Sequence, residues 1–267
     1  MAAGVQNFET PRLNLWPASG MMSFLKVTMA RTIFWFACFW LLQLLSIIFL
    51  SVYFLLGLLG QKSTQKKFLY CLTRIWARLL ISIAGGRVEI SGLENLPAGG
   101  GVLFVANHQG AFDIPLLLGY VPGLKGFVSK KENSRLPIVG IWMKLLHCII
   151  LDRKDLRQSV QAIARGIRDL QTGRSLVVFP EGTRSKSGVI NRFKDGSFKL
   201  ATRSGAAIVP LTIDGSYRLL EGNRGRITPG KIHLHIHPPI RLQDLNAAEK
   251  STLTEKVQRI IASRLPV

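Results

Sequence analysis

One stretch of this chain reads Val102-Leu103-Phe104-Val105-Ala106-Asn107-His108-Gln109-Gly110-Ala111-Phe112-Asp113. Its first five residues are apolar and have the length of a buried strand. The turn after them lies at the carboxyl end of that strand, where open α/β sheets usually hold their active sites. There a histidine is able to take a proton near neutral pH, and a nearby aspartate is able to fix its tautomer. Taken alone, however, such a pair more often has a structural or surface role.

A second segment, Phe179-Pro180-Glu181-Gly182-Thr183-Arg184, closes another short apolar run, residues 176–179. The proline ends the strand and the glycine permits a tight turn. The turn presents a carboxylate, a hydroxyl and a guanidinium, and a guanidinium held in place is a bidentate receptor for phosphate or carboxylate. Two strand ends, one with a base and one with an anion receptor, predict a site for an anionic substrate whose hydroxyl is deprotonated.

Four blocks in order resemble the glycerolipid acyltransferases, in particular the 1-acyl-sn-glycerol-3-phosphate acyltransferases. The blocks are Asn107-His108 with Asp113, the strand that ends in Asp152-Arg153, the segment from Phe179 to Arg184, and Ile208-Val209-Pro210-Leu211. Smaller matches are Phe193-Lys194-Asp195-Gly196 and the Lys130-Lys131-Glu132 stretch with Pro137 and Gly140. The resemblance covers residues from about 88 to about 240. Gly110 departs from it, because the family often has serine there.

The resemblance implies that His108, oriented by Asp113, deprotonates the free hydroxyl of a lysophospholipid, which then attacks an acyl thioester directly. It implies that Arg153, Arg184 and Lys130 hold the phosphate of this acceptor. We expect Glu181, Gly182 and Thr183 to complete the substrate site, with Glu181 either binding the acceptor or supporting its own turn. The thioester is acyl-CoA or acyl-carrier protein, and we expect no metal and no other cofactor.

Three functions remain open at this point. The first is transfer of a fatty acyl group to 1-acyl-sn-glycerol 3-phosphate, which gives phosphatidate for phospholipid synthesis. The second is transfer to another lyso-lipid, such as lyso-ornithine lipid or lysophosphatidylglycerol. The third is a non-catalytic membrane-binding protein on the same fold. The absence of a Gly-x-Ser-x-Gly motif in the sequence argues against a serine hydrolase with an acyl-enzyme.

Composition and charge point to lipid partners. The formal net charge is +20, and 48% of the residues are hydrophobic. This charge suits anionic lipid or an acidic carrier protein. We expect no nucleic-acid partner, because the basic residues are spread along the chain and no nucleic-acid-binding module is recognisable.

Residues 32–60 contain no charged side chain. As a helix they would reach about 43 Å, which exceeds the hydrocarbon core of about 30 Å, so that they are long enough to span a membrane or to bend and re-enter it. Basic residues are denser after this stretch than before it, which predicts that its carboxyl-terminal side faces the cytoplasm. We therefore expect a membrane protein at the cytoplasmic face of the inner or plasma membrane.

Residues 68–84 predict a second helix that either lies at the headgroup level or packs on the domain. The resemblance implies an amino-terminal membrane-binding helical element and so favours the headgroup level. Strands and helices then alternate, which predicts an α/β fold with a mixed, mostly parallel sheet flanked by helices. We expect a poorly ordered segment over 1–21, membrane-associated helices over 22–86 and the α/β acyltransferase domain over 87–267. The strands are expected at 88–90, 102–106, 126–129, 148–151, 176–179, 207–213 and 231–237, and the later helices at 114–118, 155–171, 197–203 and 247–265.

Two further groups of residues are expected to be structural. The three cysteines Cys38, Cys71 and Cys148 lie in apolar surroundings without metal-like spacing, which predicts reduced thiols. His233, His235 and His237 alternate along a strand, so that they project from one face. Without an evident carboxylate or cysteine partner they predict a structural strand more than a zinc site.

Overall fold

The computed structural model describes residues 18–266, with side chains from residue 25 onward. The expectation of poor order over 1–21 therefore falls, for residues 1–17, outside the described residues. The first helix, α1 (Ala18–Leu58), already includes residues 18–21. The second, α2 (Lys62–Ala84), runs back along α1 and ends at Gly85, whose φ of 80° is left-handed.

The centre of the molecule is a seven-stranded sheet in the order β1-β7-β6-β2-β5-β3-β4. Its strands are β1 (Gly86–Ser91), β2 (Leu103–Ala106), β3 (Lys125–Lys130), β4 (Ile149–Leu151), β5 (Ser175–Val178), β6 (Ile208–Asp214) and β7 (Gly230–Ile236). Neighbours from β6 to β4 are parallel, β7 is antiparallel to β6, and β1 is parallel to β7. The prediction of a mixed, mostly parallel sheet is confirmed.

Six more helices flank this sheet in the described part of the chain. They are α3 (Asp113–Tyr120), α4 (Val139–Leu145), α5 (Leu156–Gln171), α6 (Lys199–Ser204), α7 (Ala247–Ser251) and α8 (Leu253–Ala262). The sequence did not indicate α4, and the single helix expected over 247–265 is divided at Thr252. A capping box starts α7: the Asn246 side chain accepts from Glu249 N, and the Glu249 side chain accepts from Asn246 N.

The side chains of β2 show how the layers form. Leu103 and Val105 point to one face, where they pack in the cluster that includes residues of α5, α6 and α8. Phe104 and Ala106 point to the other face, into the cluster that includes residues of α2 and α3. Because both faces are covered, this strand is apolar throughout, as parallel strands of α/β proteins are.

The helix α2 belongs to this core on one side. Ala77, Leu80 and Ile81 are almost fully buried. Arg74 and Arg78 both donate from Nε to the carbonyl of Gly119 at the end of α3, at 3.3 and 2.8 Å. These contacts correspond to the alternative in which the helix packs on the domain, although its other side leaves Ile75 and Leu79 exposed.

The helix α1 lies against the rest of the protein along much of its length. Thr32 Oγ1 accepts from Ile227 N at 2.8 Å, Trp35 Nε1 donates to Leu80 O at 2.9 Å, and Ser46 Oγ accepts from Trp142 Nε1 at 2.9 Å. Farther along, the Tyr53 carbonyl accepts from Gln65 Nε2 at 2.9 Å. The outward side of α1 is apolar and exposed, and by length and composition this helix, over 25–58, is able to cross a membrane.

Candidate active site

The five parallel strands bring their carboxyl ends to one edge of the sheet. His108 follows β2, Glu181 follows β5 and Arg153 follows β4, while Lys130 is the last residue of β3. Ser216 follows β6 in the same way. The residues that the sequence indicated are far apart along the chain, and this parallel arrangement places them at one edge.

The centre of the site is an imidazole bonded to a buried carboxylate. His108 Nδ1 lies 2.7 Å from Asp113 Oδ2, and the Asp113 side chain is 0% exposed. A hydrogen on Nδ1 donates to this oxygen, which leaves Nε2 as the basic atom of the ring. The side chain of His108 is 18% exposed, so that the imidazole remains within reach of solvent or a ligand.

Besides His108, three other groups donate hydrogen bonds to Asp113. The backbone N–H groups of Gln109 and Gly110 donate to its Oδ2 at 2.7 and 3.0 Å. The Ser216 hydroxyl donates to its Oδ1. Because both oxygens are fixed, the carboxylate holds one orientation toward the ring.

The ring of His108 is also held on one face. It stacks on the Phe179 ring with centroids 4.0 Å apart and an interplanar angle of 17°. The backbone N–H of His108 donates to Glu181 Oε1 at 2.6 Å. The segment that follows β5 therefore supports both the ring and the main chain of His108.

Glu181 is a buried support between two loops. Its Oε2 accepts from Asn191 N at 3.0 Å and from Asn191 Nδ2 at 2.8 Å, while Oε1 is occupied by the bond from His108 N. The residue is 3% exposed, and this burial raises the pKa of its carboxyl above the ordinary value, against hydrogen bonds that lower it. Since protein donors occupy both oxygens, support of the turn is the alternative that this geometry favours for Glu181.

Arg184 lies at the rim of the site and is 44% exposed at its side chain. Its Nη1 donates to Glu221 Oε1 at 2.8 Å, and the same oxygen accepts from Ala111 N at 2.8 Å. Glu221 therefore connects the candidate anion receptor to the loop that carries His108. One nitrogen of the guanidinium is used in this way, and the remaining N–H donors face no protein acceptor among the described residues.

Arg153 contacts the same turn from the other side. Its Nη2 donates to the Gly182 carbonyl. A side chain at Gly182, where φ is 71°, would meet Arg153 Nη2 at 3.2 Å and Lys194 Nζ at 3.0 Å. Arg153 and Lys194 thus place two positive charges beside the turn, and the glycine makes room for them.

The other two expected residues are less closely tied to this centre. Lys130 is exposed at the end of β3, paired in register with Leu151, and Thr183 is exposed on its turn. Neither side chain has a hydrogen-bond partner within the described range, residues 18–266. Lys131, next to Lys130, pairs with Asp152 at 2.7 Å.

Ser216, Asn191 and Glu221 join the site although the sequence did not single them out. Ser216 is 103 positions from Asp113, and Glu221 is 110 positions from Ala111. Both lie in short 3-10 turns after β6, where no local pattern marks them. The alternating histidines lie on β7 and just after it: His233 Nδ1 lies 3.2 Å from Glu89 Oε2, His235 bonds Ser91, and His237, which follows the strand, bonds Thr212.

A histidine bonded to a buried carboxylate lies beside cationic side chains at the carboxyl ends of the parallel strands. This arrangement is able to take a proton from a hydroxyl next to an anionic group. The acyltransferase family model matches residues 87–214. A probable 1-acyl-sn-glycerol-3-phosphate acyltransferase of Mycoplasma pneumoniae is 31% identical over 195 residues, 69% of this chain and 73% of the relative. The chain therefore belongs to the acyltransferase family that includes the 1-acyl-sn-glycerol-3-phosphate acyltransferases.

Two other comparisons agree with this membership. A chloroplast 1-acyl-sn-glycerol-3-phosphate acyltransferase of Arabidopsis thaliana is 35% identical over 66% of this chain. The chain spans about half of the length of this relative, 49%. The crystal structure of a 1-acyl-sn-glycerophosphate acyltransferase from Thermotoga maritima is similar with a TM-score of 0.77 and 26% identity, over 89% of this chain and 95% of that one.

Proposed function

We propose that this protein transfers a fatty acyl group from an acyl thioester to the free hydroxyl of 1-acyl-sn-glycerol 3-phosphate, which gives phosphatidate. The observation that carries the proposal is the 2.7 Å contact between His108 Nδ1 and Asp113 Oδ2. It leaves Nε2 to take the proton of the acceptor hydroxyl. The names of the relatives support this acceptor.

In the proposed reaction the acceptor is itself the nucleophile. As His108 Nε2 takes the hydroxyl proton, the acceptor oxygen bonds to the thioester carbon, and the thiolate leaves with the electrons of the C–S bond. The proton on His108 then passes to the departing sulfur. Asp113 stabilises the intermediate imidazolium, and general-base help of this kind contributes about 10² to 10⁴ in rate.

We assign the acceptor phosphate to the cationic side of the site. Arg184 supports this assignment because its guanidinium is exposed and uses only Nη1 in the bond to Glu221. Arg153 and Lys194, which flank Gly182, add positive charge next to the same turn. We leave Lys130 as a more distant member of this group, at the end of β3.

We also propose that α1 lies in the surface of the membrane instead of crossing it. Its contacts with the rest of the protein run from Thr32 to Tyr53. This corresponds to about 32 Å of helix, which is close to the hydrocarbon core of about 30 Å. A helix perpendicular to the membrane would pull the attached domain, with its charged residues, into the hydrocarbon. In the surface of the cytoplasmic leaflet, the exposed side chains of α1 would enter the lipid and leave the domain in water.

An acceptor panel tests the proposed activity. Purified protein is given radiolabelled acyl-CoA or acyl-carrier protein together with lysophosphatidate, lysophosphatidylglycerol or lyso-ornithine lipid. We expect labelled phosphatidate as the main product and its loss in His108→Ala. His233→Ala is the matched control, because His233 is exposed on β7 and bonded to Glu89.

If labelled product forms only with another acceptor, that lyso-lipid replaces lysophosphatidate as the substrate. No product with any acceptor, from a folded protein, would favour the non-catalytic alternative. Transfer by His108→Ala within about tenfold of the unchanged protein would contradict the general-base role, because it is less than such bases contribute.

A further inference from the structure

A cavity of about 580 Å³ lies at the opposite end of the sheet from His108. Val102, Lys125 and Ser175 line it at the amino ends of β2, β3 and β5. The start of α2 and Tyr53 near the end of α1 close its other side. It therefore shares no lining residue with the candidate active site.

The charged groups of this cavity all have one sign. Its lining includes Lys62, Lys66, Lys125 and Arg174, together with His147, and no aspartate or glutamate. Arg174 is paired with Asp169 at 3.0 Å. Lys62 and Lys66 form no ion pair within the described part of the chain. Two unneutralised lysines thus face a space that has no carboxylate of its own.

The face that α2 turns to the cavity has a helical spacing. Lys62, Gln65, Lys66 and Leu69 are at positions i, i+3, i+4 and i+7, and all four line the cavity. Two lysines four residues apart repel each other and destabilise a helix by a few tenths of a kcal/mol. They also lie at the helix amino terminus, where the macrodipole is positive and where Gln61 provides no side-chain cap. An anion in the cavity would offset all of these effects.

Lys125 also lines the inner wall, but protein carbonyls already take up its N–H donors. It is 2% exposed, and its Nζ donates to the carbonyls of Leu117, Val121 and Gly123 at 3.2, 2.7 and 2.6 Å. The wall also includes the apolar side chains of Leu69, Phe104 and Leu146. A ligand that fits both parts carries a negative group and an apolar chain.

The surroundings indicate where such a ligand comes from. Leu58 and Leu59, at the end of α1, are 85% and 65% exposed, and Lys62, Lys66 and Lys67 follow within a few residues. Apolar side chains followed by lysines are the arrangement of a chain that leaves lipid at the level of anionic headgroups. We propose that this cavity binds the phosphate headgroup of an anionic membrane phospholipid, at a site separate from the acyl-transfer site.

The test uses monomeric dihexanoyl phosphatidylglycerol as the probe and calorimetric titration of the full chain in neutral detergent. Lys62→Gln/Lys66→Gln should bind this lipid about tenfold more weakly, which is about 1.4 kcal/mol. Lys199→Gln/Lys250→Gln removes the same charge from exposed lysines elsewhere and should bind as the unchanged protein does. Inorganic phosphate, titrated in parallel, should bind much more weakly than the lipid.

The proposal would be overturned if Lys62→Gln/Lys66→Gln bound the lipid as tightly as the unchanged protein does. The lipid would then bind at another site, for example the acyl-transfer site. Inorganic phosphate that binds as tightly as the lipid would show a site for free phosphate and would also overturn it. Binding is measured without acyl donor, so that the result stands whether or not the proposed transfer activity is found. In neutral detergent, any transfer rate should be the same in both double variants.

Discussion

A side chain at Gly110 would clash with the carboxylate of Glu221 as it is held in this structure. A Cβ at position 110 would lie 2.6 Å from Glu221 Oε2 and 3.1 Å from its Cδ. This oxygen is buried and has no hydrogen-bond partner among the residues that the structure describes, while the other oxygen accepts from Ala111 N and Arg184 Nη1. The resemblance to the acyltransferases predicts serine more often than glycine at 110, and a serine Cβ there would meet this carboxylate.

The first prediction concerns this pair. Gly110→Ala should lower kcat/KM by tenfold or more, because the new methyl displaces Glu221. Glu221 Oε1 holds both the backbone of the His108 loop, through Ala111 N, and the guanidinium of Arg184. In Glu221→Ala the same change at 110 should cost little, since the clashing carboxylate is gone. The measurement is a double-mutant cycle on kcat/KM, and additive effects of the two changes would contradict the steric relationship.

The second prediction concerns the hydrogen bond from Ser216 to Asp113. Ser216→Ala leaves Oδ1 of a buried carboxylate without its donor, and bonds to charged groups contribute about 1.5–3 kcal/mol. We expect kcat to fall by about tenfold with little change in the KM for either substrate, and we expect the pH dependence of kcat to shift with the altered imidazole. Ser204→Ala, at the end of α6, is the control. An unchanged pH profile would mean that Ser216 has only a packing role.

The third prediction concerns Arg184. Arg184→Lys keeps the charge but loses the planar fork that binds phosphate through two N–H groups. The KM for the phosphate-bearing acceptor should therefore rise more than the KM for the thioester. Arg192→Lys, a nearby arginine on the same connection, serves as the comparison. If only the thioester KM rises, the guanidinium serves the acyl donor.

The fourth prediction concerns the exposed side of α1. Phe34 and Ile48 are 61% and 63% exposed, and the in-plane proposal places both in lipid. Phe34→Glu/Ile48→Glu should be released from membranes by a high-salt wash that leaves the unchanged protein bound, because apolar burial is insensitive to screening.

The matched control for this wash is Val160→Glu. Val160 is similarly exposed, at 60%, but lies on α5, whose buried residues pack on the opposite face of the sheet from α1. It should stay membrane-bound. Release of the unchanged protein by salt alone would mean that α1 is not inserted in lipid.

The fifth prediction is a pH dependence of stability. Burial, and then the charge of Arg74, lower the pKa of Lys125 from 10.5 to about 7. Between these values the unfolded chain binds more protons at this position than the folded one, so that the free energy of unfolding should rise with pH. Lys125→Met should lose this slope. Urea unfolding across pH 7 to 10.5 measures it, and parallel curves for both proteins would contradict the lowered pKa.

The sequence predicted the sheet more fully than the helices around it. Each of the seven strands overlaps its expected range, because runs such as 102–106 and 176–179 are apolar and bounded by glycine or proline. The helix α4 was not expected, since only Gly140 within it is buried and its pattern is weak. The headgroup and packed alternatives for α2 could not be separated, because Arg74 and Arg78 find their partner, the Gly119 carbonyl, more than forty residues away.

In the site, too, local patterns could be recognised in the sequence and long-range contacts could not. His108, Asp113 and the turn from Glu181 to Arg184 were indicated because each block is local in sequence. Ser216 and Glu221 were not, because their contacts with Asp113 and Arg184 exist only after β2, β5 and β6 have paired. Glu181 could be placed on its turn, but its occupied oxygens required the position of Asn191.

Phe179 covers one face of the His108 ring, and Asp113 occupies its Nδ1 edge. Water and the acceptor hydroxyl must therefore approach the same remaining atom, Nε2, and cannot do so together. In the proposed reaction, a seated lyso-lipid would shield the base from water with its own hydroxyl. Once it departs, the same base would be open to activate water against the thioester. The loss of acyl donor to hydrolysis would then depend on how long the acceptor stays, and an abundant lyso-lipid would protect the donor simply by being present.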